Sequence, residues 1–460
     1  MSARSSAIEW ARSHQADALE DFKTILRIPS ISTLPENNED VERAAEWITE
    51  NLRELGCEVA KTIETGGHPV VYAEWLEAES DKPTILVYGH YDVQPPEPLE
   101  EWESDPFDPQ VRGENLYARG ASDMKGQMIA FLTAVKAIQS TSRLPVNLKF
   151  MFEGEEEVGS PHLADFIHEH KDMLSSTFCL NCDSGILDPE TPSLTYTLRG
   201  LSYFELRLQG ARSDLHSGLF GGAIDNPANV LCQLIAGMRD ASGRVTLPGF
   251  YDDVRPLTDE DREEMVAKPD SWWLEQTGGP VLFGEEGYTA AERATARPTL
   301  DVNGLLSGFT GEGSKTVLPA KAMAKFSMRL VPDQDPNKIK TIVETYLTEN
   351  APPTVTWELE DLSSCFPSIS ERDSASVRAA TRAVEKVWGK APVFQRQGGS
   401  VPVVGIIQEL LGLESLIMGF GLSDDNLHAP NEKQHIPTFY RGIETYVIGG
   451  FDTVFFEKNP

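Results

Sequence analysis

The chain has 460 residues, which at roughly 100–200 residues per domain is enough for two or three domains. Hydrophobic residues make up 40% of it and charged residues 24%, as is usual for a globular protein. The 40 basic and 72 acidic side chains give a net charge of −32, which would repel nucleic acids and anionic membranes and so excludes both as expected partners.

Three further features of the sequence indicate where the protein lies in the cell and how its cysteines are used. No apolar run approaches the roughly 18–20 residues of a membrane span, and the N-terminal residues carry scattered charges, so we expect neither a membrane anchor nor a secretory signal. Five cysteines are too few for a disulfide scaffold, and Cys179 and Cys182 form a lone C-x-x-C in a strand-like run that turns them to opposite faces. These features favour a reducing cytoplasm.

The first half of the chain alternates helical and apolar segments. Residues 7–26 and 39–56 carry apolar residues at helical spacing, which predicts two helices. Short uninterrupted apolar runs then alternate with helical stretches. The predicted strands are 69–75, 83–90, 145–152 and 177–183, and the predicted helices between them are 125–139 and 162–173. This order predicts a largely parallel sheet covered by helices on both faces.

A second pattern begins near residue 200 and has the β-α-β-β-α-β order of a small ferredoxin-like α+β domain. Its predicted elements are strand 201–210, helix 226–239, strands 299–306 and 322–331, helix 336–347 and strand 354–361. Residues 245–298 form a long acidic, proline-rich insertion within it. Later segments return to a helix, a strand and a helix, at 374–388, 414–420 and 437–451. We therefore predict an α/β domain at 1–199 and 371–460, interrupted by an inserted α+β domain at 200–370.

Potential metal ligands follow four of the apolar strands. These residues are His90 and Asp92, then Glu155, Glu156 and Glu157, then Asp183, and finally His428. A further candidate, Asp123, lies just before a predicted helix, where a carboxylate is favoured. Because ligands of open α/β sheets bind beyond the carboxyl ends of the strands, we expect two imidazoles and several carboxylates on one rim.

Each of these residues has an ordinary alternative explanation. A single Asp or Glu after a strand is usually a turn or cap residue, and the E-G-E-E-E stretch alone fits a solvated acidic loop. Their coincidence at successive strand ends indicates a metal site, because so many close carboxylates would repel one another without cations. Mixed His and carboxylate ligands suit Zn²⁺, with Mn²⁺ or Co²⁺ as alternatives, and two ions about 3.5–4 Å apart form a known hydrolytic device. The residues alone do not assign roles within the three consecutive glutamates.

Eight motifs in order along the chain resemble those of the M20 metallopeptidases, and most of all those of the carnosinase-like, cytosolic non-specific dipeptidase branch. The motifs are GHYDVQP, GASDMKGQ, FEGEEEVGS, CDSG, DLHSGLFGG, RLVPD, QGGSVP and DNLHAPNE. The resemblance covers nearly the whole chain. It implies a dizinc-type site in the catalytic domain and an inserted domain that serves as a lid and as the interface of a homodimer.

The resemblance also implies a ligand set. His90 and Asp183 would hold one metal ion, and Glu157 and His428 the other. Asp123 would bridge both ions. On this basis we expect two divalent ions per chain, with Zn²⁺ favoured.

Further roles follow from the same resemblance. Asp92 would orient the imidazole of His90. A Glu-Glu pair before x-Gly-Ser matches Glu156 and Glu157, which makes Glu156 the general base and Glu155 a bystander. His216 would be the lid histidine that polarises the scissile carbonyl group, although a lone turn histidine is its ordinary alternative.

A third group of residues is implied to hold the free carboxylate of the substrate. These are Arg329, Thr316 and the turn of Gly399 and Ser400. A planar guanidinium binds a carboxylate through two hydrogen bonds, and backbone amides of the turn can complete the cradle. A surface salt bridge is the ordinary alternative for Arg329.

We therefore expect a metallopeptidase that hydrolyses the amide bond of dipeptides or short peptides with a free C-terminal carboxylate. A hydroxide that bridges the metal ions would attack the carbonyl carbon, with Glu156 as general base. An N-acyl-amino-acid deacylase or a carboxypeptidase of the same family shares this site and stays an alternative, as does a catalytically idle binding protein. The sequence contains neither a G-x-S-x-G elbow nor H-E-x-x-H, and G-F-T-G-E-G-S-K-T departs from a P-loop. The role of the 245–298 insertion, with Trp272 and Trp273, is left open.

Overall fold

The computed structural model describes residues 2–79, 82–264 and 269–451. Its contacts divide the chain into two compact units. One consists of residues up to Tyr196, Ile369–Gln395 and the chain from Ile406 onward, and the other of Thr197–Ser368 and Arg396–Gly405. The predicted limits are 1–199 and 371–460 for one domain and 200–370 for the other. They differ from these units chiefly at 396–405, and we keep them as a prediction.

The elements of the first part of the chain are as follows. The strands are β1 Val59–Ile63, β2 Val70–Trp75, β3 Thr84–His90, β4 Gln110–Arg112, β5 Asn115–Tyr117, β6 Asn147–Glu153, β7 Phe178–Asn181, β8 Gly185–Ile186 and β9 Ser193–Leu198. The helices are α1 Ala3–Ser13, α2 Gln15–Leu26, α3 Asn38–Glu54, α4 Gly126–Gln139, α5 Leu163–Glu169 and α6 Lys171–Leu174.

The remaining elements follow in chain order. The strands are β10 Gly200–Gln209, β11 Leu215–His216, β12 Thr299–Ser307, β13 Val317–Leu318, β14 Lys321–Leu330, β15 Thr356–Cys365, β16 Ser368–Ile369, β17 Val393–Gln397, β18 Ser415–Ile417, β19 Gly421–Leu422 and β20 Lys433–His435. The helices are α7 Ser217–Phe220, α8 Pro227–Gly237, α9 Asp259–Glu264, α10 Asp270–Thr277, α11 Ala290–Thr295, α12 Pro336–Asn350, α13 Ala375–Trp388, α14 Pro402–Leu411 and α15 Ile436–Phe451.

The main sheet, as far as the described residues show it, has nine strands in the order β1-β2-β6-β3-β7-β18-β9-β16, with β17 paired to β9. Its centre, β6-β3-β7-β18, is parallel, whereas β2 and β9 run antiparallel to their central neighbours. Every residue of β6 is buried, as expected for a strand covered by helices on both faces. The predicted mixed α/β fold is confirmed.

The second unit contains a four-stranded antiparallel sheet in the order β12-β14-β10-β15. Residues of β14 alternate between buried and partly exposed, because one face of the sheet packs on α8 and α12. Phe204 and Phe326 lie in that core with their ring centroids 5.6 Å apart. The predicted ferredoxin-like β-α-β-β-α-β order is confirmed.

Among the local differences between the prediction and the structure, three show why the sequence pattern was misleading. The predicted helix 7–26 is interrupted at His14, whose φ of −112° and ψ of 22° divide it into α1 and α2. The predicted helix 162–173 is likewise divided into α5 and α6. The strand β9 was not predicted, because Thr195 and Thr197 give it a polar sequence although both are buried. Among the described residues, no helix is both long and apolar enough to cross a lipid bilayer.

Candidate metal centre

Adjacent parallel strands bring several of the predicted ligands to one edge of the main sheet. His90 is the last residue of β3, and Asp183 follows the end of β7. Glu156 and Glu157 lie in a 3-10 turn shortly after β6. Because β6, β3 and β7 are parallel neighbours, their carboxyl ends meet at this edge.

Two more candidate ligands come from loops of the same unit. Asp123 lies in the short segment Ala121–Lys125 directly before α4, where its own backbone, with φ of −115° and ψ of 99°, is extended rather than helical. His428 lies in the loop between β19 and β20 and has a left-handed backbone with φ of 58°, which is uncommon for a residue with a side chain. The side chains of both residues meet those at the strand ends.

The five predicted ligands form a continuous series of close approaches. Oδ2 of Asp183 is 4.0 Å from Nε2 of His90, and the same nitrogen is 3.0 Å from Oδ1 of Asp123. Oδ2 of Asp123 is in turn 3.0 Å from Nε2 of His428, which is 3.2 Å from Oε2 of Glu157. The carboxylate of Asp123 therefore lies between the two imidazoles, with one oxygen directed at each.

Neighbouring polar groups hold these side chains in place. Nδ1 of His90 pairs with the backbone carbonyl oxygen of Asp92 at 3.1 Å and lies 3.3 Å from Oδ1 of this fully buried residue, so that Nε2 of the imidazole is directed into the centre. The second carboxylate oxygen of Asp92 accepts the backbone N–H of Glu157 at 3.1 Å. Gln94 donates from its side-chain amide to Oε2 of Glu157 at 2.8 Å, and Asn181 accepts the backbone N–H of Asp183 at 2.7 Å.

The charges of the cluster shift the pKa values of its members. Hydrogen bonds to the carboxylates of Asp123 and Glu157 raise the pKa of His428 to about 10. Burial, with the nearby negative charges of Asp183 and Glu157, raises the pKa of Glu156 to about 9. Burial, with the charge of Asp123, raises the pKa of Asp183 to about 7. The carboxylates of this cluster therefore carry more negative charge than they can hold together without protons or cations.

The donor set fits divalent metal ions. Ligand atoms of His90, Asp123 and Glu157 all lie within 4.8 Å of one another, which is close enough to share one or two ions. Imidazole nitrogens and carboxylate oxygens are ligands of Zn²⁺, Mn²⁺ and Co²⁺. Cations at this position would replace the protons that the metal-free cluster needs, so the chemistry of the residues agrees with a metal centre.

The three consecutive glutamates have different surroundings. Glu156 and Glu157 lie within the charged cluster, whereas the carboxylate of Glu155 pairs with Nδ1 of His162 at 2.9 Å. Glu155 is buried, and its backbone carbonyl oxygen accepts the N–H of Ser160, so it closes the turn. The side chain of Glu155 therefore contacts His162, whereas those of Glu156 and Glu157 lie among the predicted metal ligands.

Glu153, at the end of β6, is a buried carboxyl group that the sequence analysis did not consider. It accepts hydrogen bonds from the hydroxyl groups of Tyr88 at 2.7 Å and Ser160 at 3.0 Å. Burial raises the pKa of Glu153 from 4.5 to about 7, although these two hydrogen bonds act in the opposite direction. The carboxyl group therefore titrates near neutral pH in the folded, metal-free protein.

Replacing Glu153 by glutamine is expected to stabilise the metal-free protein above pH 7. A carboxyl group whose pKa is raised on folding stabilises the fold fully below its unfolded pKa of 4.5 and loses this contribution as the pH rises through about 7. Glutamine keeps an oxygen acceptor for Tyr88 and Ser160 but carries no charge. Urea unfolding should show a gain of about 3 kcal/mol at pH 8 and of about 1 kcal/mol or less at pH 5. A variant with the same pH dependence as the wild type would contradict this assignment.

The second unit carries His216 and Thr316 side by side. β11 and β13 pair so that His216 is opposite Val317, and the N–H of Ser217 donates to the carbonyl oxygen of Thr316 at 3.1 Å. Nδ1 of His216 accepts the N–H of Gly218 at 3.0 Å, which leaves the proton of the neutral imidazole on Nε2. His216 is exposed, so this N–H is available to a ligand.

A separate pair of arginines lies elsewhere in the second unit. Arg329, in β14, donates from Nη1 to the hydroxyl group of Ser400 at 2.8 Å. Arg199 donates from Nε to the carbonyl oxygen of Gly398 at 2.8 Å. Its backbone N–H donates to the carbonyl oxygen of Gly399 at 3.2 Å. Burial and the positive charge of Arg329 lower the pKa of Arg199 to about 10. Nη1 of Arg199 is buried with no hydrogen-bond partner among the described residues, so this corner suits an anion.

Sequence reasoning missed several residues that contact predicted site residues, among them Arg199, Gln94 and Glu432. Arg199 follows β9, and the failure to predict that strand hid it. Gln94 and Glu432 lie within two of the eight motifs, but only the structure shows that Gln94 contacts Glu157 and that Glu432 contacts the backbone of Asp123. Glu432 is buried and Gln94 is partly buried, and composition alone reveals neither.

Comparisons with known proteins bear on the identity of the centre. The model of Peptidase family M20/M25/M40 matches residues 86–448, a range that includes all five predicted ligands. Among relatives, the Cys-Gly metallodipeptidase DUG1 of Candida albicans is 31% identical over 94% of this chain and 93% of its own length. The human Beta-Ala-His dipeptidase is 30% identical over 94% of this chain and 89% of its own.

A solved structure extends the comparison to the fold. The M20 family metallo-carboxypeptidase Sso-CP2 of Sulfolobus solfataricus is similar with a TM-score of 0.80 and 34% identity, over 95% of this chain and 99% of that one. These matches confirm the resemblance inferred from the eight motifs. The chain is a metallopeptidase that belongs to peptidase family M20/M25/M40.

Proposed function

We propose that the protein is a dinuclear metal-dependent dipeptidase that hydrolyses dipeptides or short peptides with a free C-terminal carboxylate. The observation that carries this proposal is the position of Asp123, whose two carboxylate oxygens are each 3.0 Å from a different imidazole nitrogen. A carboxylate in that position is suited to bridging two ions. His90 and Asp183 would hold one ion and His428 and Glu157 the other, with Zn²⁺ favoured and Mn²⁺ or Co²⁺ as alternatives.

The chemistry divides between the ions and the side chains. Bound divalent ions would polarise the scissile carbonyl group and lower the pKa of the attacking water. Glu156 would accept the proton of that water and return it to the nitrogen of the leaving amine. Asp92 would hold the imidazole of His90 in one orientation, and Nε2–H of His216 would donate to the carbonyl oxygen as negative charge develops on it.

Recognition of the substrate's carboxylate would fall to the second unit. The contact of Arg329 with Ser400 and the turn at Gly399 support this role, because a guanidinium, a hydroxyl group and backbone amides together bind a carboxylate. Arg199 would hold the turn through its two contacts with it. Thr316 lies next to His216, so it would bind the substrate's carboxylate from the position of that histidine.

We also propose that the protein is a homodimer joined through the second unit. β12 lies at the edge of its sheet and, with the loop after it, exposes a group of large apolar side chains. They are Val302 at 41%, Leu305 at 58%, Leu306 at 57% and Phe309 at 46%. Exposed apolar edges of this kind are usually covered by a partner. We keep a reducing cytoplasm as the predicted location, in line with the free thiols of the five cysteines.

A second candidate function is a carboxypeptidase that accepts longer peptides. The similarity to the metallo-carboxypeptidase Sso-CP2, at 34% identity, favours it. Both activities need the same metal centre and the same carboxylate cradle. They differ in whether the substrate must also present a free amino group next to the scissile bond.

A substrate panel separates these candidates. We expect rapid hydrolysis of free dipeptides, slow hydrolysis of longer peptides and of N-acetyl and N-succinyl amino acids, and no hydrolysis of dipeptide amides, which lack the carboxylate. Equal rates on longer peptides would favour the carboxypeptidase, and equal rates on the N-acyl amino acids would favour the deacylase. No hydrolysis of any member, with metals bound, would favour the idle binding protein.

The metal content provides a second test. We expect two divalent ions per chain by elemental analysis and complete loss of activity with a chelator, restored by Zn²⁺, Mn²⁺ or Co²⁺. The metal-free protein should also be less stable, by about 2.7 kcal/mol for each ion that binds at a metal concentration 100 times its Kd. One ion or fewer in fully active protein would contradict the dinuclear centre.

A further inference from the structure

We propose that Glu432 is a positioning residue that fixes the loop of Asp123 against the loop of His428, so that the affinity and geometry of the metal centre depend on it. This inference rests on the proposed metal centre, because it concerns two of the side chains that would hold the ions. It does not depend on the substrate.

The contacts of Glu432 carry the inference. Its carboxylate is fully buried. Oε1 accepts the backbone N–H groups of Ser122 at 2.9 Å and Asp123 at 3.1 Å. Oε2 accepts the backbone N–H of Gly120 at 2.9 Å and Nη1 of Arg119 at 2.8 Å. One carboxylate therefore accepts three backbone N–H groups, including that of Asp123 itself, and one guanidinium N–H.

The turn cannot supply these acceptors itself. Gly120 has a left-handed backbone with φ of 82°, and a Cβ atom there would lie 2.6 Å from the side chain of Val93. The N–H groups of Gly120 and Ser122 precede α4, and the backbone at Asp123 and Met124 is not helical, so no preceding turn of helix offers them carbonyl oxygens. Buried donors without acceptors are costly, so Glu432 is needed to hold the backbone in this shape.

A second carboxylate ties the same two loops together. Asp425 accepts the hydroxyl group of Ser122 at 2.7 Å and the N–H of Leu422 at 2.7 Å. Its other oxygen lies 3.1 Å from Nζ of Lys433. Asp425 and Glu432 thus lie on either side of His428 in sequence, and each holds that loop to the turn of Asp123.

This arrangement has a consequence for the metal centre. The two oxygens of Asp123 and the imidazole of His428 must keep their relative positions for ions to be shared between them. Residues that orient metal ligands typically change metal affinity about 10–100-fold when they are replaced. Glu432 accepts the backbone N–H of Asp123, which is one predicted ligand, and it lies in the same loop as His428, which is another.

The main test variant is Glu432→Gln. Each oxygen of Glu432 accepts two hydrogen bonds. In either orientation of the glutamine amide, its NH₂ group therefore faces two N–H donors and cannot accept from them. Glu432→Asp keeps the charge but is shorter, so it cannot reach all four donors. The matched control is Asp424→Asn in the same loop, since the side chain of Asp424 is 74% exposed and pairs only with Lys433 among the described residues.

The measurements use full-length chains stripped of metal and checked for folding by circular dichroism and thermal unfolding. Titration calorimetry with Mn²⁺ gives affinity and stoichiometry, and the visible absorption of bound Co²⁺ reports ligand geometry. We expect binding about 10–100-fold weaker in Glu432→Gln, a smaller loss in Glu432→Asp, altered Co²⁺ bands in both, and wild-type behaviour in Asp424→Asn.

The outcomes distinguish this inference from the proposed function. Wild-type protein that binds fewer than two ions contradicts the dinuclear centre but leaves the comparison between variants valid. A folded Glu432→Gln protein with wild-type affinity and Co²⁺ bands overturns the role of Glu432. If Glu432→Gln does not fold, wild-type metal binding by Glu432→Asp overturns it in the same way. An equal loss in Asp424→Asn also overturns it, because the effect would then belong to the loop in general.

Discussion

Replacing Glu156 by glutamine is expected to lower kcat by about 10²–10⁴-fold while both metal ions stay bound. Burial and the carboxylates of Asp183 and Glu157 raise the pKa of Glu156 to about 9 in the metal-free centre. A neutral amide of the same shape would relieve this repulsion, so the variant should not lose metal. It removes only the proton acceptor of the reaction, and KM should change much less than kcat.

The neighbouring glutamates are the controls for this experiment. Glu157→Gln should weaken binding of one ion, because Oε2 of Glu157 lies 3.2 Å from Nε2 of His428 within the ligand series. Glu155→Gln should have little effect on kcat, because glutamine can still accept a hydrogen bond from His162. Steady-state kinetics and elemental analysis on all three variants decide the assignment. An inactive Glu155→Gln protein with both ions bound would shift the assignment by one residue.

The predicted ligands lie close together in the structure, and this proximity has a physical reason. Parallel strands place their carboxyl ends on one edge of a sheet, so the polar residues that follow apolar strands indicate a site from the sequence alone. His90 and Asp183 follow this rule directly, since β3 and β7 are parallel neighbours. Asp123 and His428 lie in loops; their positions before a predicted helix and after a predicted strand made them candidates, and only the family resemblance assigned their roles. Their 3.0 Å approaches depend on contacts that no spacing rule encodes.

The residues that were missed have a different character. The buried threonines of β9 conceal an apolar strand in a polar sequence, so the residue that follows it, Arg199, received no attention. Glu432 is distant from Asp123 in sequence, and its role depends on a loop pairing that the chain forms only on folding. Supporting residues of this kind act through backbone groups, which leave no pattern in the sequence.

His216 is expected to act at the metal centre of the partner subunit, and mixing two inactive variants tests this. His216 belongs to the second unit, whereas all five predicted metal ligands belong to the first. With Nδ1 occupied by the N–H of Gly218, only Nε2–H can serve a substrate. If the second units form the dimer interface, the exposed His216 of one chain can serve the other.

His216→Ala and Glu156→Gln homodimers should each be nearly inactive, yet subunits mixed and re-annealed should recover activity. In a mixed dimer one site combines an intact Glu156 with an intact His216, and the other site lacks both. With random pairing, half of the dimers are mixed and half of their sites work, so about a quarter of wild-type activity should return. Steady-state rates before and after re-annealing measure this recovery.

A matched control excludes recovery by other means. Glu156→Gln mixed with Glu157→Gln places both defects in the first unit, so each site of the mixed dimer keeps one defect and no activity should return. If His216 acts within its own chain, the first mixture behaves like this control. A protein that is monomeric and fully active at the assay concentration would contradict the model equally, because no partner would then be present to supply His216. Recovery in the first mixture alone therefore requires both a dimer and a histidine that crosses its interface.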